Sequence, residues 1–255
     1  MRVAWGSRLK AGLPQPVELQ VNTAMVLASA GIVLALVGMQ LDRMAGSDLI
    51  TWSSLALYGV IAVVMWSAIG RFHPYPMFGL PNVLTLSRTV IVCAMAGVLV
   101  AGLVAPWAWP MVVVASIALI LDGFDGWAAR RFAISSRFGA RFDMEIDALC
   151  LLVLSVMVFD LGKVGPIVLL IGLARYGFVV AGWLWPALER PLPPSARRKT
   201  VCVVQGIVLT VCLAPIIPTW LATPAVLAAL ALLVYSFTVD TIWLVANRRL
   251  KELDT

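Results

Sequence analysis

Charge is what this sequence has least of. Asp, Glu, Lys and Arg make up only 13% of its 255 residues, about half of the roughly 25% that soluble domains carry. With 62% hydrophobic residues and a mean hydropathy of +0.97, that scarcity excludes a soluble globular chain. Long polar segments are missing as well, so no separate soluble domain fits between the apolar runs. Histidine is reduced to His73 alone, which excludes a histidine-built metal site. The four cysteines, Cys93, Cys150, Cys202 and Cys212, all fall inside apolar runs and form no CxxC pair. Cysteines so placed behave as small hydrophobes, which speaks against disulfides and a metal–thiolate centre. Any bound metal must be held by carboxylate oxygens.

What is present is oil in helix-length pieces. Apolar runs recur at 21–41, 49–70, 84–104, 110–131, 143–159, 164–187, 201–217 and 223–246, each near the ~20 residues a helix needs to cross hydrocarbon. A transmembrane barrel would alternate polar and apolar residues in short strands, and "MVVVASIALIL" does not alternate. The expected fold is an all-α polytopic membrane protein with eight transmembrane helices. Arg2, Arg8 and Lys10 ahead of the first run resemble a signal sequence, with Ala28-Ser29-Ala30 as a cleavage-like triplet. That triplet lies inside the run rather than after it, so an uncleaved first span is expected.

The 19 Lys and Arg residues sort by loop. Arg2, Arg8 and Lys10, then Arg71 and Arg88, then Arg130, Arg131, Arg137 and Arg141 fall on one side of an eight-span arrangement. Arg190, Arg197, Arg198 and Lys199, and Arg248, Arg249 and Lys251 at the end, fall there too. The opposite loops hold Arg43 and Lys163, and Arg175 lies within the sixth run. The positive-inside rule then puts both termini in the cytoplasm. The net charge of +6 reads as a basic rim facing anionic lipid, and no nucleic-acid partner is expected. Trp52, Trp107, Trp109, Trp185 and Trp220 lie near run ends, as an aromatic belt would.

Against this background, five of the 13 acidic residues crowd into "LDGFDGWAARRFAISSRFGARFDMEID", residues 121–147. Asp122 and Asp125 lie in the last turns of the fourth run; Asp143 and Asp147 lie in the first turns of the fifth. At 3.6 residues per turn, Asp125 is about 60° from Asp122 around the helix, and Gly126 and Ala129 fall within about 40° of it. Asp143 and Asp147, four apart, share a face, while Glu145 is about 200° from Asp143. Carboxylates are costly in apolar surroundings, and four at one depth need something positive among them. Oxygen-only ligands suit hard divalent ions such as Mg²⁺, Mn²⁺ or Ca²⁺, and two such ions form the usual clamp for phosphoryl displacement. Gly126 and Ala129 leave a groove beside the carboxylates, or else allow two helices to pack closely.

Written out, the stretch is Asp122-x2-Asp125-Gly126-x2-Ala129-Arg130-x8-Gly139-x3-Asp143-x3-Asp147. It resembles the signature of the CDP-alcohol phosphotransferases at every fixed position. The resemblance implies a six-helix catalytic core over 80–255, with 1–79 as an added tail and two further helices. It implies transfer of a phosphoryl-linked alcohol from a CDP-alcohol, commonly CDP-diacylglycerol, to a small alcohol, with release of CMP. Asp122, Asp125 and Asp143 would hold two Mg²⁺ or Mn²⁺ ions, with Asp147 shared between metal binding and the catalytic base. Asp122, Gly126, Ala129 and Arg130 would line the CDP site, and Gly139 would shape the turn beside it. A homodimer in the inner or plasma membrane of a bacterium, with a cytoplasmic active site, is the implied setting.

"LPNVLTLSRTV" (80–90) is similar to the segment that opens the family's first core helix. Asn82, Thr85 and Arg88, three apart, share a helix face aimed at nucleotide or phosphate, although an Asn cap and a flanking Arg would look the same. Arg175, midway along the sixth run, needs an anion, either a carboxylate or a phosphate on the acceptor. Arg198 and Lys199 are further phosphate candidates, or merely cations that set topology. Asp240 is expected to pair locally, with Arg248 or a backbone group. Arg88, Arg175, Arg198 and Lys199 together favour a phosphorylated acceptor, such as glycerol 3-phosphate or an inositol phosphate. Ala148, where phosphatidylglycerophosphate synthases often carry Lys, and the bulky Met144-Glu145-Ile146 depart from common patterns and leave the acceptor open. An aspartate-rich intramembrane prenyltransferase and a divalent-cation transporter are the rival readings. The first would release pyrophosphate rather than CMP, and the second would want its carboxylates at the midplane.

Overall fold

A computed structural model describes residues 17–72, 77–132, 136–185 and 195–253, except for the side chains of 17, 70–72, 125–132, 137 and 247–253. Among the described residues there are eight α-helices and no strand. They are α1 (Val17–Ala45), α2 (Leu49–Phe72), α3 (Leu80–Val100), α4 (Ala108–Phe132), α5 (Arg137–Asp160), α6 (Leu169–Leu184), α7 (Ala196–Leu213) and α8 (Thr219–Leu253). A 3₁₀ turn, Pro166–Val168, leads into α6. Five of them, α1, α2, α3, α6 with its leading turn, and α8, contain stretches long and apolar enough to cross a membrane; α4 has a shorter apolar stretch, Ala108–Phe124. α5 carries Arg141, Asp143, Glu145 and Asp147 within its first three turns, and α7 carries Arg197, Arg198 and Lys199 at its start, which keeps both out of that set. The chain is an integral membrane protein.

The helices start where local chemistry lets them, usually earlier than the apolar runs suggest. α5 begins at Arg137, six residues before its run, because Ser136 in an extended conformation accepts a hydrogen bond from the Gly139 N–H at 2.9 Å. That is N-capping by a serine hydroxyl. α3 starts at Leu80 with Pro81 in its first turn, where a missing N–H costs nothing. It ends in a left-handed glycine, Gly102 at φ +69°. Leu103 N–H bonds the Val98 carbonyl and Gly102 N–H the Leu99 carbonyl, the paired bonds of a Schellman ending.

α3 is the hub of the bundle: it packs against α1, α2, α4 and α5. One buried cluster, including Val92, Met95, Leu154, Met157, Leu209 and Leu213, joins α3 to α5 and α7. A second, including Leu27, Leu34, Tyr58, Met65, Cys93 and Phe142, seats the α1–α2 hairpin on α3 and the start of α5. Contact between α2 and α3 is close enough that a Cβ on Gly97 would lie 2.7 Å from the Ile50 carbonyl oxygen, the small-residue packing typical of membrane helices.

Several buried polar groups in the hairpin are paired, as burial favours, although the Thr23, Thr51 and Ser54 hydroxyls have no partner. The Tyr58 hydroxyl donates to the Leu27 carbonyl at 2.7 Å, and Asn22 Oδ1 accepts the Phe78 N–H at 3.0 Å, tying α1 to the entry of α3. Asp42, buried near the end of α1, accepts the N–H groups of Ile50 at 3.0 Å and Thr51 at 3.1 Å. A residue at the end of one helix thus caps the start of the next. Asp42→Ala is expected to remove this cap and lower stability by about 1–2 kcal/mol, read as a reduced melting temperature of the protein in detergent.

A carboxylate cluster held by one arginine

Three helices meet at the end of the bundle where α4 finishes and α5 begins. α4 contributes Asp122; α5 contributes Asp143 and Asp147, one turn apart on one face. One oxygen from each of the three carboxylates can be chosen so that all lie within 4.8 Å of one another. α3 contributes Arg88, whose side chain is only 2% exposed. Its Nη1 lies 2.9 Å from Asp122 Oδ1 and 2.8 Å from Asp143 Oδ1, and its Nη2 donates to Asp147 Oδ1. The carboxylates themselves keep partial exposure, with side chains 24–37% accessible.

Among the described residues, Asp122, Asp143 and Asp147 all contact the Arg88 guanidinium. The donor set is oxygen only, from side chains that can turn, and it already surrounds a cation. That chemistry fits a hard divalent ion, with Asp122, Asp143 and Asp147 as its ligands.

Around this cluster, the sequence candidates fall into three groups. Asn82, Thr85 and Arg88 do share a face of α3, and all three are buried. The Asn82 amide donates to the Phe78 carbonyl, and the Thr85 hydroxyl donates to the Pro81 carbonyl at 3.1 Å. Gly139 lies against Asn82: a Cβ on Gly139 would come within 2.5 Å of Asn82 Oδ1. The absent side chain is what lets the start of α5 close on the start of α3.

Asp125, Gly126, Ala129 and Arg130 continue α4, but their side chains lie outside the described residues. The remaining basic candidates stand apart from the cluster. Arg175 donates to Glu145 at 2.6 Å, the carboxylate that helical phase turns away from Asp143. Arg198 reaches Asp240 at 3.2 Å, and Arg197 also donates to Asp240; Lys199 is exposed. Sequence reasoning gave Asp240 a local partner on its own helix. The side chain of Arg248 lies outside the described residues; Asp240 joins α8 to the first turn of α7, and the usable signal for that was an inward carboxylate opposite "ARRK".

With the geometry in hand, comparisons identify the family. The CDP-alcohol phosphatidyltransferase family matches residues 78–240, more than half of the chain, and the chain belongs to it. An 86-residue stretch is 39% identical to the CDP-diacylglycerol–glycerol-3-phosphate 3-phosphatidyltransferase of Salmonella choleraesuis, covering 32% of this chain and 45% of that protein. Proteins of the same name from Salmonella paratyphi A and Salmonella typhimurium are 38% identical over 86 residues, again 45% of their length. The chain thus spans less than half the length of the curated relatives it matches. No solved structure matches it.

The contact between Gly139 and Asn82 gives a specific expectation. Gly139→Ala should cost about 1–3 kcal/mol through overpacking, and Asn82→Ala in the same chain should restore part of the loss. The two single variants and the double variant, compared by thermal unfolding in detergent, check the contact.

Proposed function

We propose that this member of the CDP-alcohol phosphatidyltransferase family moves a phosphatidyl group from CDP-diacylglycerol to a small phosphorylated alcohol, releasing CMP. The observation that carries the reading is the convergence of Asp122, Asp143 and Asp147 from two successive helices onto one cation-holding point. Glycerol 3-phosphate, the acceptor in the names of the similar Salmonella proteins, is the first acceptor to test. Arg88, Arg175 and Arg198 are engaged by carboxylates in the structure; with Lys199 they are the basic side chains that the phosphate of such an acceptor would draw on.

In this reading the acceptor hydroxyl attacks the phosphatidyl phosphorus in line. A new P–O bond forms, the anhydride P–O bond to CMP breaks, and the hydroxyl proton passes to Asp147 as general base. Asp122, Asp125 and Asp143, with Asp147, would hold the Mg²⁺ or Mn²⁺ ions, which when bound neutralise the pyrophosphate and its leaving oxygen. Asn82, Thr85, Gly126, Ala129, Arg130 and Gly139 would shape the cytidine diphosphate site. Close packing of Asn82 on Gly139 gives the last of these a supporting role in α3–α5 contact.

The surrounding architecture follows the charge pattern. We place all eight helices across the membrane, both termini and the carboxylate cluster on the cytoplasmic side, in a bacterial inner or plasma membrane. Residues 80–255 form the catalytic core, with the α1–α2 hairpin of 1–79 as an addition that buttresses α3. Two copies pair through apolar helix faces.

Purified protein with CDP-diacylglycerol and Mn²⁺ should release CMP only when an acceptor is added, glycerol 3-phosphate being tried before neutral alcohols. Chelation should abolish release and added Mn²⁺ restore it. Asp147→Asn should reduce the rate by about 10²–10⁴-fold. CMP release indifferent to Asp147→Asn would remove the general-base assignment, and pyrophosphate in its place would sink the reaction class.

A further inference from the structure

We propose that Arg88 is a resident occupant of the divalent-cation site, a guanidinium that holds the three carboxylates together until a metal ion displaces it. This rests on Asp122, Asp143 and Asp147 being metal ligands. Arg88 Nη1 sits 2.9 Å from an Asp122 oxygen and 2.8 Å from an Asp143 oxygen, and Nη2 donates to Asp147. A nitrogen so placed fills the space between the carboxylates. An ion binding the same oxygens at about 2.0–2.2 Å would overlap the nitrogen and repel its charge, so the two cations exclude each other.

The way out is set by the packing. α3 is fixed on four sides by α1, α2, α4 and α5, and its opening turn is tied to α5 where Asn82 meets Gly139. Metal entry therefore moves the Arg88 side chain rather than the helix. Two consequences follow. Without metal, the guanidinium offsets the mutual repulsion of the half-buried carboxylates and keeps α3, α4 and α5 in register. On loading, the cluster gives up an arginine head just where an anionic substrate arrives, and a freed guanidinium is a strong bidentate partner for phosphate oxygens. Arg88 is then a positioning residue that trades carboxylates for phosphate, and it holds Asp147 until the metal arrives.

The decisive test uses the wild-type full chain in detergent. Mn²⁺ binding is followed by electron paramagnetic resonance, and phenylglyoxal modification of Arg88 is mapped by mass spectrometry with and without saturating Mn²⁺. Modification of Arg88 should rise at least about fivefold when Mn²⁺ binds, and Asp143→Asn should blunt the rise, in line with a site-to-site coupling. Arg88→Met should melt at a lower temperature without metal, bind Mn²⁺ roughly tenfold more tightly, and gain more from it in melting temperature than wild type. Mn²⁺ bound to wild type with Arg88 still protected overturns the displacement, as does Mn²⁺ affinity unchanged or weakened in Arg88→Met. Should Arg88→Met fail to fold, the wild-type labelling decides alone. Failure of wild type to bind Mn²⁺ at all is a different result: it removes the metal reading of the carboxylates and this inference with it.

Discussion

The cost of placing carboxylates in an oily bundle governs how this protein is put together. Asp122, Asp143 and Asp147 converge, partly exposed, at the end of an apolar bundle, and a positive charge among them offsets their repulsion and desolvation. In the structure that charge is the Arg88 guanidinium, contacting all three. The requirement fixes which helices must meet: α4 and α5 supply the anions as a hairpin, and α3 supplies the cation. The helix carrying Arg88 is also the one most of the bundle is built against.

Seen from that centre, the peripheral features have a physical purpose. Among the described residues, the α1–α2 hairpin contributes no side chain to the cluster, yet it packs along α3 through Gly97 and anchors the entry of α3 through Asn22. Asn82 and Gly139 bring the first turns of α3 and α5 within reach of each other, so that a long arginine and two short aspartates meet. The ion pairs Arg175–Glu145 and Arg197/Arg198–Asp240 do the same between α6 and α5 and between α7 and α8. Each of these charges in the apolar bundle is matched by one from a neighbouring helix.

Much of this was legible in the residues. The helical class follows from apolar runs of spanning length, and the i, i+4 spacing of Asp143 and Asp147 puts them on one face before any coordinates exist. Helical phase likewise separates Glu145 from them, and the structure finds Glu145 on a different partner, Arg175. Helix edges were less legible: α5 begins at Arg137 because a serine cap, not hydrophobicity, starts it. The partners of long cations were least legible. Phase says which way Arg88 points, but which helix lies opposite depends on packing between segments distant in sequence. An arginine aimed at a phosphate and one aimed at three carboxylates look alike in one dimension. Asp240 shows the same limit, since its partners come from a helix that starts 44 residues earlier in the chain.

The most direct test of a cation-binding carboxylate cluster is to locate the ion. Crystals of the protein grown with Mn²⁺ and measured at the manganese absorption edge should show anomalous density between α4 and α5, within about 2.2 Å of oxygens from Asp122, Asp143 and Asp147. Arg88 should then be turned away from them. Anomalous density elsewhere in the bundle, or none at the cluster with Arg88 still spanning the three carboxylates, would contradict the account.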